Sequence, residues 1–242
     1  KSLPEPFYQH LIDRTGKLGE RKVRDQLASF FRQWFDQLTA AELADPVTTS
    51  LASALVEASP EQFLPLLRSV IENAPADTHL GIRGHAPSAK WGPRRTLVWL
   101  LERLVSFPEF FSDCEKCLFR LALHGTEPQI GNNATTIWQE LFTVYLSGTA
   151  TPFEERIAVL RTRTVSGNPD EARFAFQGVA RMLGETSGKC VGPPVVAGRL
   201  CPCDWQPCSA HEELACYREA LSLCAEHLMQ GDTDHRRLAL DV

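Results

Sequence analysis

What the sequence lacks narrows its reading first. No apolar run approaches the roughly 20 residues needed to cross a bilayer. The opening KSLPEPFYQH has no apolar core of the length a signal peptide requires. Positive charge is not in excess: 25 Lys and Arg against 30 Asp and Glu leave a formal charge of −5. That balance argues against general affinity for phosphate backbones or anionic membranes. Convincing strand runs are absent, and PVVAG is too short to build a sheet. The motifs GxSxG, HExxH and GxGxxG do not occur. GETSGKC, from Gly184 to Cys190, is the nearest approach to a phosphate loop, and it fails on three counts. Its spacing is one residue short, cysteine stands where the magnesium-binding hydroxyl belongs, and Val191-Gly192-Pro193-Pro194 blocks the helix that should follow. No catalytic residue and no cofactor is expected. Cysteine is present, but eight in 242 residues is far below the density of a disulfide scaffold, so reduced cytosolic thiols are the expected state.

What the sequence has is helix. ERKVRDQLASFFRQWFDQL places Val23, Leu27, Phe30, Phe31, Trp34, Phe35 and Leu38 at steps of three and four, an amphipathic stripe. Thr39 and Glu42 stand at capping-box spacing. PVTTSLASALVEA is a shorter helix. In SPEQFLPLLRSVIENA, Ser59 is the expected N-cap and Pro60 the first helical residue, with some irregularity at Pro65. PRRTLVWLLERLV and PEFFSDCEKCLFRLALHG read as an antiparallel pair joined at SFP. NNATTIWQELFTVYLSG reads as one helix with Ile137, Trp138, Leu141, Phe142 and Tyr145 on one side. Thr151 is expected to cap PFEERIAVLRTRTV, and Asn168 to cap PDEARFAFQGVARMLG. These two similar starts predict an all-α fold of stacked antiparallel helix pairs, a short solenoid of HEAT or TPR kind. Two long irregular loops interrupt it, 75–92 and 184–209. The first is rich in glycine and proline and carries His79 and His85; it is either a binding surface or a linker. Residues 1–242 are read as one helical-repeat domain, with a subdivision into 1–74 and 93–242 at that loop. The chain begins at Lys1 and ends in RRLALDV, which still reads as helix, so a segment of a longer protein is expected.

Two cysteine groups raise the question of chemistry. Cys114-x-x-Cys117 lies in a helical run among Phe110, Phe111, Leu118 and Leu121, where cysteine serves as a small hydrophobe. The other group is KCVGPPVVAGRLCPCDWQPCSAH, with Cys190, Cys201, Cys203, Cys208 and His211. Cys208-x-x-His211 is an acceptable half of a zinc site, and Cys201-Pro202-Cys203 is a tight pair. The competing reading is a crossover loop, stiffened by Pro193, Pro194, Pro202 and Pro207 and anchored by Trp205. Ser209 and Glu212 then open SAHEELACYREALSLCAEHLM, with Leu214, Tyr217, Leu221, Cys224 and Leu228 as its expected buried stripe.

Several stretches together resemble a helical-repeat region near the C-terminus of large bacterial STAND NTPases of the antiphage and conflict-system type. They are RRTLVWLLERLVSFPEFF, LFRLAL, NNATTIWQELFTVYLSGTATPFEERIAVLRTR and GPPVVAGRLCPCDWQPCSAHEELACYREAL, roughly Arg94 to Leu223. The likeness in the loop is carried by Gly192, Pro193, Gly198, Arg199, Pro202, Trp205 and Pro207. Other residues fill the cysteine positions in those relatives, which weighs against zinc on Cys201, Cys203, Cys208 and His211. The resemblance implies a cytoplasmic sensor without enzymatic activity of its own. It would bind a protein trigger, of phage origin in a defence setting, and relieve an NTPase core elsewhere in the same chain. Two other classes stay open: a zinc-stabilised or metal-dependent domain built on loop 190–211, and a nucleic-acid-binding repeat. The latter would use Arg94, Arg95, Arg156, Arg161, Arg163, Arg173 and Arg181 if they shared one face.

Overall fold

A computed structural model describes residues 29, 31–75, 92–125, 131–184, 195–196, 198–230 and 233–242. The expected helix over 20–38 is therefore described only near its end, where 31–36 are helical. Most of loop 75–92, with His79 and His85, and most of GETSGKC lie outside the described residues.

Local chemistry starts each helix. Thr39 and Glu42 do form a capping box: the Thr39 N–H donates to the Glu42 carboxylate at 2.8 Å, and the Glu42 N–H donates to the Thr39 hydroxyl at 3.4 Å. It opens only a 3-10 turn, Glu42–Ala44. Asp45 then begins α1 (Pro46–Ala58), accepting from the Thr48 N–H, with Pro46 in the first turn, where a missing N–H costs nothing. In α2 (Pro60–Glu72) the Ser59 side chain makes no cap bond, and Pro65 does not end the helix. The Ser59 carbonyl instead accepts from Gln62 and Phe63. α3 (Pro93–Leu104) and α4 (Pro108–Leu123) follow. Asn133 caps α5 (Ala134–Glu140) through the Thr136 N–H. After α6 (Phe153–Thr164), Asn168 caps α7 (Pro169–Leu183) through the Asp170 N–H, as its spacing predicts. A two-residue hairpin, β1 (Val195–Val196) and β2 (Arg199–Leu200), turns through Gly198 at φ +71, where glycine has no Cβ to strain. α8 (Ala210–Gln230) and α9 (Thr233–Leu240) close the chain.

Two expectations fail between α5 and α6. The helix expected through Gly148 ends at Glu140. Arg156, from α6, donates to the carbonyls of Leu141 and Thr143 at 2.8 and 2.7 Å. Those are the carbonyls a continuing helix would offer to its own N–H groups. Leu146 and Gly148 then turn the chain at positive φ. Thr151 does not cap α6 either: its hydroxyl pairs with that of Thr149 at 2.9 Å, and Pro152 takes the N-cap position with no side-chain bond.

The packing is layered by sequence order. α1 packs on α2 and α3, α2 and α3 on α4, and α4 on α5 and α7. Beyond them α6, α8 and α9 all pack on α7. One apolar cluster runs through the molecule from Phe31 to Cys224, so the segments on either side of 75–92 share a core. Within it Trp138 is fully buried, stacked on Phe174 at 4.7 Å and edge-on to Phe142 at 4.6 Å. Burying each such ring contributes roughly 1.5–3 kcal/mol. Gly178 lets α7 approach this far, since a Cβ there would meet Trp138 and Leu160 at 3.0 Å. Among the described residues, no helix is long and apolar enough to cross a membrane.

Candidate functional site

The cysteine loop is built onto its neighbours by other residues than its thiols. The Asp204 carboxylate accepts from the Gly148 N–H at 2.7 Å, and the Trp205 N–H donates to the Thr149 carbonyl at 2.9 Å. The Trp205 ring lies 6.0 Å from Phe153, with the Arg156 guanidinium 5.4 Å above it. Trp205 is therefore the anchor its size predicts. Cys203, Cys208 and His211 are exposed and Cys201 is half-buried. Among the described residues no three histidine, cysteine or carboxylate side chains gather as metal ligands would. Cys190 lies outside the described residues.

The remaining described thiols are enclosed. Burial pushes the Cys114 and Cys117 thiols well above their ordinary range. Burial likewise raises Cys216 to about 11, against the opposing charge of Arg156. A thiol so shifted is a poor nucleophile at neutral pH. A threonine and a histidine also meet: His227 Nε2 lies 3.0 Å from the Thr164 hydroxyl, both residues buried. The Thr164 hydroxyl also lies 3.2 Å from the Arg161 carbonyl, and which partner takes its proton follows the imidazole tautomer.

The seven arginines singled out in the sequence do not make one cationic face. Arg94 and Arg156 are buried. Arg161 pairs with Glu219 and Glu226, Arg163 with Glu115, Arg173 with Asp170 and Arg181 with Glu140. Arg95 lies over the Trp99 ring at 4.4 Å. Most of their charge is answered within the chain, which leaves little to release counterions from a phosphate backbone.

The surface that stands out is on α8. Its inner face buries Cys216, Ala220, Leu223, Cys224 and His227. This corrects the expected stripe: Leu214 and Leu221 are 54 and 56% exposed, Tyr217 and Leu228 are half-buried, and of that stripe only Cys224 is buried. The helix has a second apolar row on its outer side. Leu214, Arg218, Leu221 and Ala225 follow at steps of four, three and four, all exposed, and Met229 at 78% exposure extends the row. Rows of this spacing form one ridge of a helix and insert between the residues of a partner helix. Sequence periodicity singled out Leu214 and Leu221 but assigned them to the core, and it did not mark Arg218, Ala225 or Met229. Asp204 and Glu115, which help hold the surrounding frame, gave no signal in the sequence, and Arg156 was marked only as one of seven candidate cationic residues. No family model, curated protein or solved structure matches the chain.

Proposed function

We propose that this chain is a non-enzymatic recognition segment that binds a protein partner along the outer face of α8. The observation that carries the reading is the exposed row of Leu214, Leu221, Ala225 and Met229 on a helix whose opposite face is already buried. Exposed large apolar side chains aligned on one helix face, here with Arg218 among them, are a feature of interaction sites. The partner it fits is an amphipathic helix with apolar residues at matching steps and a carboxylate placed to meet Arg218. The resemblance of residues 94–223 to STAND NTPases supplies the setting: a cytoplasmic sensor whose trigger, of phage origin, is read by stacked helix pairs and relieves an NTPase core in the same polypeptide. The pairing of α1 with α2 and of α3 with α4, and of α1 with α3 and α2 with α4 across those pairs, supports the stacked-pair part of that proposal.

The test is a photo-crosslinking residue placed at Leu221 in the full-length protein, expressed with and without phage challenge. One defined protein should be captured. Capture should fall at least tenfold when Leu214→Glu is added, and a crosslinker at Gln177 on α7 should not reproduce it. Capture that ignores Leu214→Glu would remove α8 as the recognition surface.

A further inference from the structure

A cleft of about 350 Å³ opens between the last turn of α4 and the first turns of α7. Arg120 and His124 line it from α4, Asn168, Arg173 and Gln177 from α7, and Phe174 with them. We propose that this cleft is a binding site for a small-molecule oxyanion, a phosphate or carboxylate group held between the Arg120 and Arg173 guanidinium groups. The proposal goes beyond the α8 reading and does not depend on it.

Three observations carry the assignment. The lining has two arginines against one carboxylate, Asp170, in a chain whose acidic residues outnumber its basic ones. Asp170 is already engaged with Arg173 at 2.8 Å, on the exposed rim. Arg120 pairs with no carboxylate among the described residues, and its Nε is buried without an acceptor. Arg120 is half-buried and lines the cleft, and an enclosed Nε without an acceptor costs stability that a ligand oxygen would offset. Other arginines of this chain show the usual remedy: Arg161 and Arg163 each take their carboxylates with two nitrogens. The fork of donors on Arg120 matches a carboxylate or phosphate edge in the same way. Burial, then the charges of Arg120 and Arg94, lower the His124 imidazole from its ordinary value, so the positive charge of the cleft comes from the arginines. The Asn168 side-chain oxygen is occupied by the Asp170 N–H, which leaves its amide NH₂ as a donor. The volume suits a compact metabolite and excludes a polymer laid lengthwise.

Calorimetric titration with inorganic phosphate, pyrophosphate and citrate separates phosphate from carboxylate preference. One of these probes should bind saturably to the wild-type chain. Arg120→Gln should weaken it at least tenfold and Arg173→Gln at least threefold, while the distant exposed Arg32→Gln leaves it unchanged. Asp170→Asn removes the competing carboxylate and should tighten binding several-fold. Should Arg120→Gln lower the melting temperature, the exposed Arg173 and Asp170 variants, with their opposite signs, still decide the matter. No saturable binding of any probe, or Arg173→Gln and Asp170→Asn variants that bind like wild type, would overturn the site.

Discussion

Arg163 and Arg156 stand two turns apart on α6, and the two regions they hold together are built on different terms. Arg163 reaches a carboxylate. Its Nε and Nη2 lie 3.2 and 3.1 Å from the two oxygens of Glu115, whose Oε1 also accepts from Trp138 Nε1 at 2.9 Å. Its guanidinium sits 3.7 Å from the centre of the Phe119 ring. Three helices, α4, α5 and α6, are thereby joined by one satisfied ionic network. Among the described residues Arg156 has no carboxylate within hydrogen-bond range; it donates to two backbone carbonyls, and its Nε and Nη2 have no acceptor there. Burial lowers its pKa to about 10, still high enough to keep it charged at neutral pH. The first arrangement fixes helices against helices. The second organises backbone that has left helical geometry, the 141–152 turn and the 201–208 loop that rests on it.

The comparison predicts its largest effect at Arg163. Arg163→Met leaves the Glu115 carboxylate buried with one neutral donor, and losing one member of a buried pair costs about 3–5 kcal/mol. Because the Arg163 side chain keeps 22% exposure, about 3 kcal/mol is expected in urea unfolding. Adding Glu115→Leu should recover at least half of it, since the pair as a whole is worth less than the damage of halving it. A double variant as unstable as the single would refute the ionic account.

The next effect tests the second region. Trp205→Ala should cost about 2–4 kcal/mol, below the range for a fully buried aromatic because part of the ring is exposed. Cys201→Ser, Cys203→Ser and Cys208→Ser together should cost about 1 kcal/mol or less, since two of the three side chains are exposed. Stoichiometric zinc by elemental analysis, with the triple variant unfolded, would reverse that order, because metal affinity would then be folding free energy.

How far such regions were legible in the sequence follows from what specifies them. Apolar spacing and local caps are written within a few residues, so α1, α4 and α7 could be read directly, as could the caps at Asn168 and at Ser209, whose hydroxyl accepts from the Glu212 N–H at 3.2 Å. The end of α5 could not, because its cause is Arg156, on the next helix of the chain. Nothing between Ile137 and Tyr145 breaks the helical period; a guanidinium arriving from α6 takes the carbonyls. The stripe on α8 failed for a different reason. That helix is apolar on two sides, and periodicity has no way to tell which side α6, α7 and α9 will cover. The loop's anchor was legible at Trp205, whose size demands burial. It was not legible at Asp204, whose partner is a backbone N–H 56 residues away. The exposed row on α8 and the cleft beside Arg120 share this origin, being set by neighbours distant in sequence.

Arg156→Met sharpens the same contrast at smaller cost. It removes donors from two carbonyls but also removes two unsatisfied nitrogens, so about 1–3 kcal/mol is expected. The loss should be local: amide exchange should speed up over 141–152 and 201–208 while α4 and α7 stay protected. Uniform acceleration throughout the chain would mean that Arg156 supports the core as a whole and not the turn.

The smallest effect belongs to the third arginine of α6. Arg161 holds Glu219 and Glu226 on the surface, each at 2.8 Å, with its own side chain 34% exposed. Hydrogen bonding from Arg161 is the main cause that lowers the Glu226 carboxyl below its ordinary value of 4.5. A carboxyl lowered by folding adds stability above its unfolded value and loses it as pH falls through the folded one. Arg161→Ala should therefore cost at most about 1 kcal/mol at neutral pH, as exposed pairs do. The gap to wild type should narrow as pH falls below 4.5, and it should narrow again at neutral pH in molar salt, where screening acts within a few ångströms. Arg163→Met, by contrast, should keep most of its cost in salt, because Glu115 is shielded from solvent ions. If both variants respond to salt alike, the distinction between a buried and an exposed arginine on this helix fails.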